Sequence, residues 1–73
     1  MTEAEYRAQL GRNIRAARKA RNLTQSQIAG PYTKAYISGL ELGIIWPSVK
    51  ALLRIATILG VSPRDLLPRE EEA

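Results

Sequence analysis

Gly30-Pro31 cuts the middle of this chain into two short helices. Proline supplies no N–H and pushes the residue before it away from helical angles, so a helix arriving from Thr24 must stop there. Ile28 and Ala29 give that first helix its inward side. A second helix can start at Thr33, whose hydroxyl can cap the backbone N–H groups of Lys34 to Tyr36. In this second helix Ile37, Leu40 and Ile44 fall at i, i+3 and i+7, on one face. Lys34, Ala35, Ser38, Gly39 and Leu42 fall on the other. A solvated helix face is usually rich in Glu and Lys. This one is short, small and almost uncharged, a shape suited to lying close against something flat.

The chain has 73 residues, enough for one domain. A chain this short buries only roughly 60% of its unfolded surface, so it depends on close packing or on a partner. It contains no cysteine and no histidine. Disulfides and thiolate chemistry are therefore excluded, and the commonest metal ligand and general base are missing. No acid pair, phosphate-binding loop or metal-ligand spacing suggests an enzyme, and no metal, cofactor or small-molecule ligand is expected. No apolar run approaches a membrane span and no signal-peptide pattern opens the chain, so a cytoplasmic location is expected. The net charge is +4, but its distribution is more uneven than that figure suggests. From Arg7 to Arg54 there are nine Lys or Arg and one acid, Glu41. A basic body with acidic ends suits a polyanion, nucleic acid before membrane, although a soluble surface can also simply be basic.

Thr2-Glu-Ala-Glu5 reads as a capping box. The helix after it runs to about Arg21, with Tyr6, Leu10, Ile14 and Ala17 as its buried stripe. Asn22 is a suitable stop, because Asn tolerates the left-handed conformation. Leu23 is expected to plug the core. Leu42-Gly-Ile-Ile-Trp-Pro47 reads as a loop in which Ile44 is tucked under the preceding helix and Trp46 plugs the core. Ser48 caps a fourth helix, whose inward stripe is Val49, Leu52, Leu53, Ala56 and Leu59, widened by Ile55 and Ile58. Ser62-Pro63 starts a short fifth helix, and Leu66 and Leu67 close the core. Pro68 to Ala73 reads as a frayed acidic tail. The expectation is all-α: one domain over residues 1–67, a compact five-helix bundle whose helices near 24–29 and 33–41 form a helix-turn-helix.

An ordered set of motifs now carries a resemblance: Leu10-Gly-x-x-Ile-Arg-x-x-Arg-Lys19, Leu23-Thr-Gln25, Tyr36-Ile-Ser-x-Leu-Glu41, Pro47-Ser48, Leu53-x-Ile-Ala56 and Leu59-Gly-Val61. Together they span about residues 10 to 67 and resemble the XRE family, the helix-turn-helix proteins of the Cro and phage-repressor type. The resemblance implies a lambda-repressor-like fold and a sequence-specific transcriptional regulator, a phage-type repressor or a restriction–modification controller. Such a protein would bind double-stranded DNA as a homodimer on a palindromic operator, with the helix from Thr33 in the major groove. It also implies site residues: Gln25 toward the DNA backbone, Thr33, Lys34, Ala35, Ser38 and Gly39 toward phosphate or base edges, and an internal ion pair between Arg18 and Glu41 with Arg18 near the phosphates.

Chemistry supplies each of these with a role and an alternative. Lys34 can donate to guanine O6 and N7, Ser38 can bond either type of pair, and Ala35 can touch a thymine methyl. Lys34 could equally be a solvated lysine, and Ala35 and Ser38 merely tolerated. Gly39 costs roughly 1 kcal/mol against alanine inside a helix, so either DNA approaches the backbone there or it packs closely on another helix. Arg15, Lys19 and Tyr36 are further candidates for the DNA backbone. Self-association is expected from Ile55, Ile58, Val61 and Leu66 or their neighbours.

Two departures from the family pattern stand out. Between Gln25 and Tyr36 the chain is two residues shorter than usual, and Tyr32 either fills the gap or reaches a phosphate. Leu42 to Trp46 is apolar where relatives commonly carry Arg, Lys or Asn. If exposed, it marks a contact surface, and the alternative function is then a protein-interaction module that docks through residues 42–46 with weak or no DNA binding.

Overall fold

A computed structural model describes residues 1–69. Among these residues the order is α1 Glu3–Ala20, α2 Gln25–Ala29, α3 Lys34–Glu41, α4 Val49–Leu59 and α5 Pro63–Leu66. Each helix begins at a side-chain cap that satisfies backbone N–H groups otherwise left without partners. Thr2, Thr24 and Ser62 form reciprocal capping boxes with Glu5, Gln27 and Asp65, while Thr33 and Ser48 cap through their hydroxyls alone. Hydrogen bonds from Thr2, chiefly from its backbone N–H, hold the Glu5 carboxyl below its ordinary range. The ends are as local: Asn22 takes a left-handed φ of 56°, and Gly60 ends α4 at φ 72°.

The core is built from Leu10, Ile14, Ile28, Ala29, Ile37, Leu40, Ile55, Ala56, Leu59 and Leu66, with Ala17, Leu23, Tyr36, Leu52, Ile58 and Val61 packed around it. α3 lies against α1 and α2, and α5 lies against α1 and α4. α1 and α3 approach so closely that a Cβ on Gly11 would sit 2.6 Å from the Glu41 carbonyl oxygen and nearer still to that of Leu40. Two residues further along α1, Asn13 donates through Nδ2 to the Leu66 carbonyl at 3.0 Å, which ties down α5.

Several expectations about the inward faces are overturned. Val49, at 75% exposure, and Leu53 point outward, and the buried stripe of α4 is Ala51, Ile55, Ala56 and Leu59. The stretch 49–59 carries more apolar residues than one face can hold, so periodicity alone did not select the face that packs. Leu66 is buried but Leu67 is exposed. Ile44 is 69% exposed rather than tucked under α3, because α3 ends at Glu41 and the chain reverses at Gly43, φ 74°. Trp46 is 41% exposed and is not a core plug: its ring lies beside Tyr6, centroids 6.1 Å apart, under the Arg7 guanidinium. The tail expected over 68–73 lies outside the described residues from 70 onward, and Pro68 is buried.

Gly11→Ala should lower unfolding stability by about 2 kcal/mol or more, the cost of forcing a methyl group into packed backbone. Urea denaturation monitored by circular dichroism measures it. A loss near zero would mean that α1 and α3 can separate freely.

Candidate nucleic-acid interface

The geometry of the candidate surface starts from a buried ion pair. Arg18 on α1 donates from Nε to Glu41 Oε2 at 2.7 Å and from Nη2 to Oε1 at 2.9 Å. Its Nη1 donates to the Leu23 carbonyl at 2.9 Å. Gln25, the first residue of α2, donates from Nε2 to Glu41 Oε1 at 3.1 Å. One carboxylate thus joins three helices, and the hydrogen bonds from Arg18 raise the guanidinium further above its ordinary pKa. The Arg18 and Glu41 side chains are 11% and 3% exposed. Burial of this kind is tolerable only when every polar group has a partner, and among the described residues no buried side-chain N or O lacks one.

The pair turns one side of α3 inward with Ile37 and Leu40 and leaves the opposite side open. Lys34 and Ala35 are exposed and Ser38 is half-buried. Thr33 is exposed, but its hydroxyl accepts from the Tyr36 N–H at 3.0 Å. On α1, Arg15 and Lys19 are exposed, one helical turn apart on either side of Arg18. Tyr36 packs on the core, and its ring meets that of Tyr32 at 5.0 Å and 30°. Tyr32 therefore occupies the short turn after Gly30, where its N–H also donates to the Ala29 carbonyl at 2.9 Å. The structure brings Lys34, Ala35 and Ser38 together on one edge of α3.

Other members of the expected set lie elsewhere. Gly39 is not left bare for a base: Ile45 packs on it, so close that a Cβ there would lie 2.6 Å from Ile45 Cδ1. Ile55 and Leu66, expected to mediate self-association, are core residues with no surface to offer. Ile58 and Val61 are half-buried against the core, and the open apolar side of α4 is carried by Leu53, which with Gly30, Arg54, Thr57 and Ile58 lines a shallow cleft. Leu53, expected on the inward face of α4, lies on this open side instead.

Two contacts were not foreseen. Gln25 is tied to Glu41, a link that depends on the fold and not on sequence spacing. Arg7 donates from Nε to the Gly43 carbonyl at 2.6 Å and so pins the 42–46 loop to α1. Among the described residues no cluster of His, Cys, Asp or Glu could hold a metal, and no helix is long and apolar enough to cross a membrane.

A helix-turn-helix family model matches residues 14–66. Solved structures with the same arrangement include the restriction–modification controller protein C.AhdI from Aeromonas hydrophila, 28% identical with a TM-score of 0.85, covering 92% of this chain and 100% of that one. The DNA-binding domain of BldD is 28% identical with a TM-score of 0.79, covering 93% and 100%. The hypothetical transcription factor NHTF from Neisseria is 26% identical with a TM-score of 0.81, covering 93% and 80%. Among curated proteins no sequence match is found.

Glu41→Ala should destabilise the fold by about 3 kcal/mol, because it leaves the Arg18 charge buried without its partner. The apolar double replacement Arg18→Met with Glu41→Leu should recover most of that loss. Urea midpoints of the two variants decide the point, and equal losses in both would show that the pair itself supplies the stability.

Proposed function

The chain belongs to the XRE-type helix-turn-helix family of DNA-binding transcription regulators, and on that premise we propose that it recognises a specific double-stranded sequence as a homodimer, with α3 in the major groove. The observation that carries this is the edge of α3 on which Lys34 and Ala35 are exposed beside Ser38, on a helix whose other side is locked to α1. Lys34 donates to guanine O6 and N7, Ser38 bonds a base edge, and Ala35 meets a thymine methyl. Arg15, Lys19 and Thr33 face the phosphates, with Tyr36 at the margin. Arg18 and Gln25 act chiefly from behind, since three of the five Arg18 donors and one of the two Gln25 amide donors are held by Glu41 and Leu23. The likeness to a restriction–modification controller protein supports the reading as a regulator, and the proposal puts self-association on this same domain. The partner surface is the α4–α5 side, with Leu53 added to Ile58 and Val61. Two copies so joined would read two half-sites of a palindromic operator.

A second possibility has one observation in its favour. Leu42, Ile44 and Trp46 are all exposed in a single loop, the kind of patch that a protein partner covers. Salt separates the two. Each phosphate contact lowers log K by about 0.9 per unit of log salt concentration, whereas docking through an apolar loop depends little on salt.

Selection from a random DNA pool with the purified protein, followed by footprinting, should give two half-sites with centres about 34 Å apart. Lys34→Ala should relax preference at one position in each half-site, at a cost of about 1–3 kcal/mol. Protection without symmetry would overturn the dimer, and affinity that neither salt nor Lys34→Ala changes would overturn the docking of α3.

A further inference from the structure

A glycine on the open side of a helix ordinarily leaves a bare patch of backbone. At Gly39 that patch is filled by another residue. A Cβ built on Gly39 would lie 2.6 Å from Ile45 Cδ1 and 2.7 Å from Cγ1, so Ile45 occupies the space of the missing side chain. The backbone holds it there: the Gly39 carbonyl accepts from the N–H of Ile44 at 2.9 Å and of Ile45 at 3.4 Å, and Gly43 at φ 74° makes the reversal that brings the loop back. Arg7 fixes the same reversal through the Gly43 carbonyl. The core does not require Ile45, which is 36% exposed and lies outside the packed cluster. Gly39 lies one helical turn after Ala35 and next to Ser38, so a side chain seated on Gly39 borders the face that carries them and adds apolar surface there.

Granted the docking of α3 proposed above, we infer that Ile45, seated on Gly39, is a specificity-determining residue that reads the 5-methyl group of thymine in the major groove. Of the four bases only thymine presents an apolar group there; cytosine presents an N4 amino donor at the corresponding edge, and covering that donor without a partner is costly. An apolar side chain therefore favours thymine at the position it covers. Because the loop is held by hydrogen bonds and by the close Gly39 contact, little ordering remains to be done on binding. A basic residue in the same loop that bonded phosphate would add affinity but no sequence information.

The test uses the full chain and the duplex recovered by selection, with each thymine replaced in turn by deoxyuridine, which removes the methyl group and keeps the hydrogen-bonding edge. At one position in each half-site, binding by the wild-type protein should fall about fourfold, the equivalent of burying one methyl group at about 0.8 kcal/mol. Ile45→Ala should bind the thymine duplex more weakly and lose nothing further with deoxyuridine at that position. Ile45→Val, which keeps a branched side chain on Gly39, should retain part of the methyl effect and provides the reading if Ile45→Ala unfolds. An undiminished deoxyuridine penalty in Ile45→Ala would overturn the inference and leave DNA recognition intact. So would specific binding by the wild type that no deoxyuridine weakens. Failure to select any preferred sequence would overturn both the inference and the proposed function.

Discussion

The crossing of α1 over the C-terminal end of α3 is the constraint on which the other features depend. At one point Gly11 admits the carbonyls of Leu40 and Glu41. At another, Arg18 reaches the Glu41 side chain with two hydrogen bonds. A glycine makes the approach possible but says nothing of direction; a two-bonded ion pair specifies direction but cannot bring helices close by itself. Together they fix both the distance and the rotation of α3. A buried pair of this kind contributes little net stability, because desolvation offsets most of its attraction. Its effect is on orientation, and Gln25 extends that effect to α2.

Orientation matters because α3 is only eight residues long. Too short to be stable alone, it is held by contacts on its inward side, and the opposite edge is left with side chains small enough for a groove. The same lock removes the middle acid of the chain from the electrostatic balance. Glu41 is paired with Arg18, so no unpaired acid lies near Arg15, Lys19 or Lys34 in the sequence. The loop after α3 is anchored just as firmly, by Arg7 on the Gly43 carbonyl and by Ile44 and Ile45 on the Gly39 carbonyl. An apolar loop held in this way is part of the surface of α3, which distinguishes it from a loose hydrophobic segment.

The local grammar of the chain was readable residue by residue. Thr2, Thr24, Thr33, Ser48 and Ser62 each cap the helix that follows, and Asn22, Gly30 and Gly60 each take positive φ where a helix ends. These signals act over three or four residues, so the sequence carries them in full. The faces were readable where the apolar pattern was sparse. On α1, Leu10 and Ile14 are the buried pair, with Ala17 and Tyr6 at the margin. On α4 the pattern was crowded: Val49 and Leu53 face outward against expectation, and Ala51 takes an inward place. The reason is that several overlapping stripes on α4 are apolar, and only contact with its neighbours chooses among them. The edge of α3 that carries Lys34, Ala35 and Ser38 was likewise legible, because its small and nearly uncharged character is visible in the order of residues.

The sequence by itself therefore determined where each helix starts and stops, the all-helical architecture, and which edge of α3 is small and open. These are short-range matters of backbone geometry, capping and periodicity. Tertiary structure alone decided the use of Gly11, the bond from Gln25 to Glu41, the inward place of Ala51 and the exposure of Val49 and Leu53 on α4, the exposure of Trp46, and the seating of Ile45 on Gly39. Each joins residues brought together by folding, or selects one of several equally apolar faces. Such outcomes depend on which surfaces meet in space, and no pattern within a single helix records that.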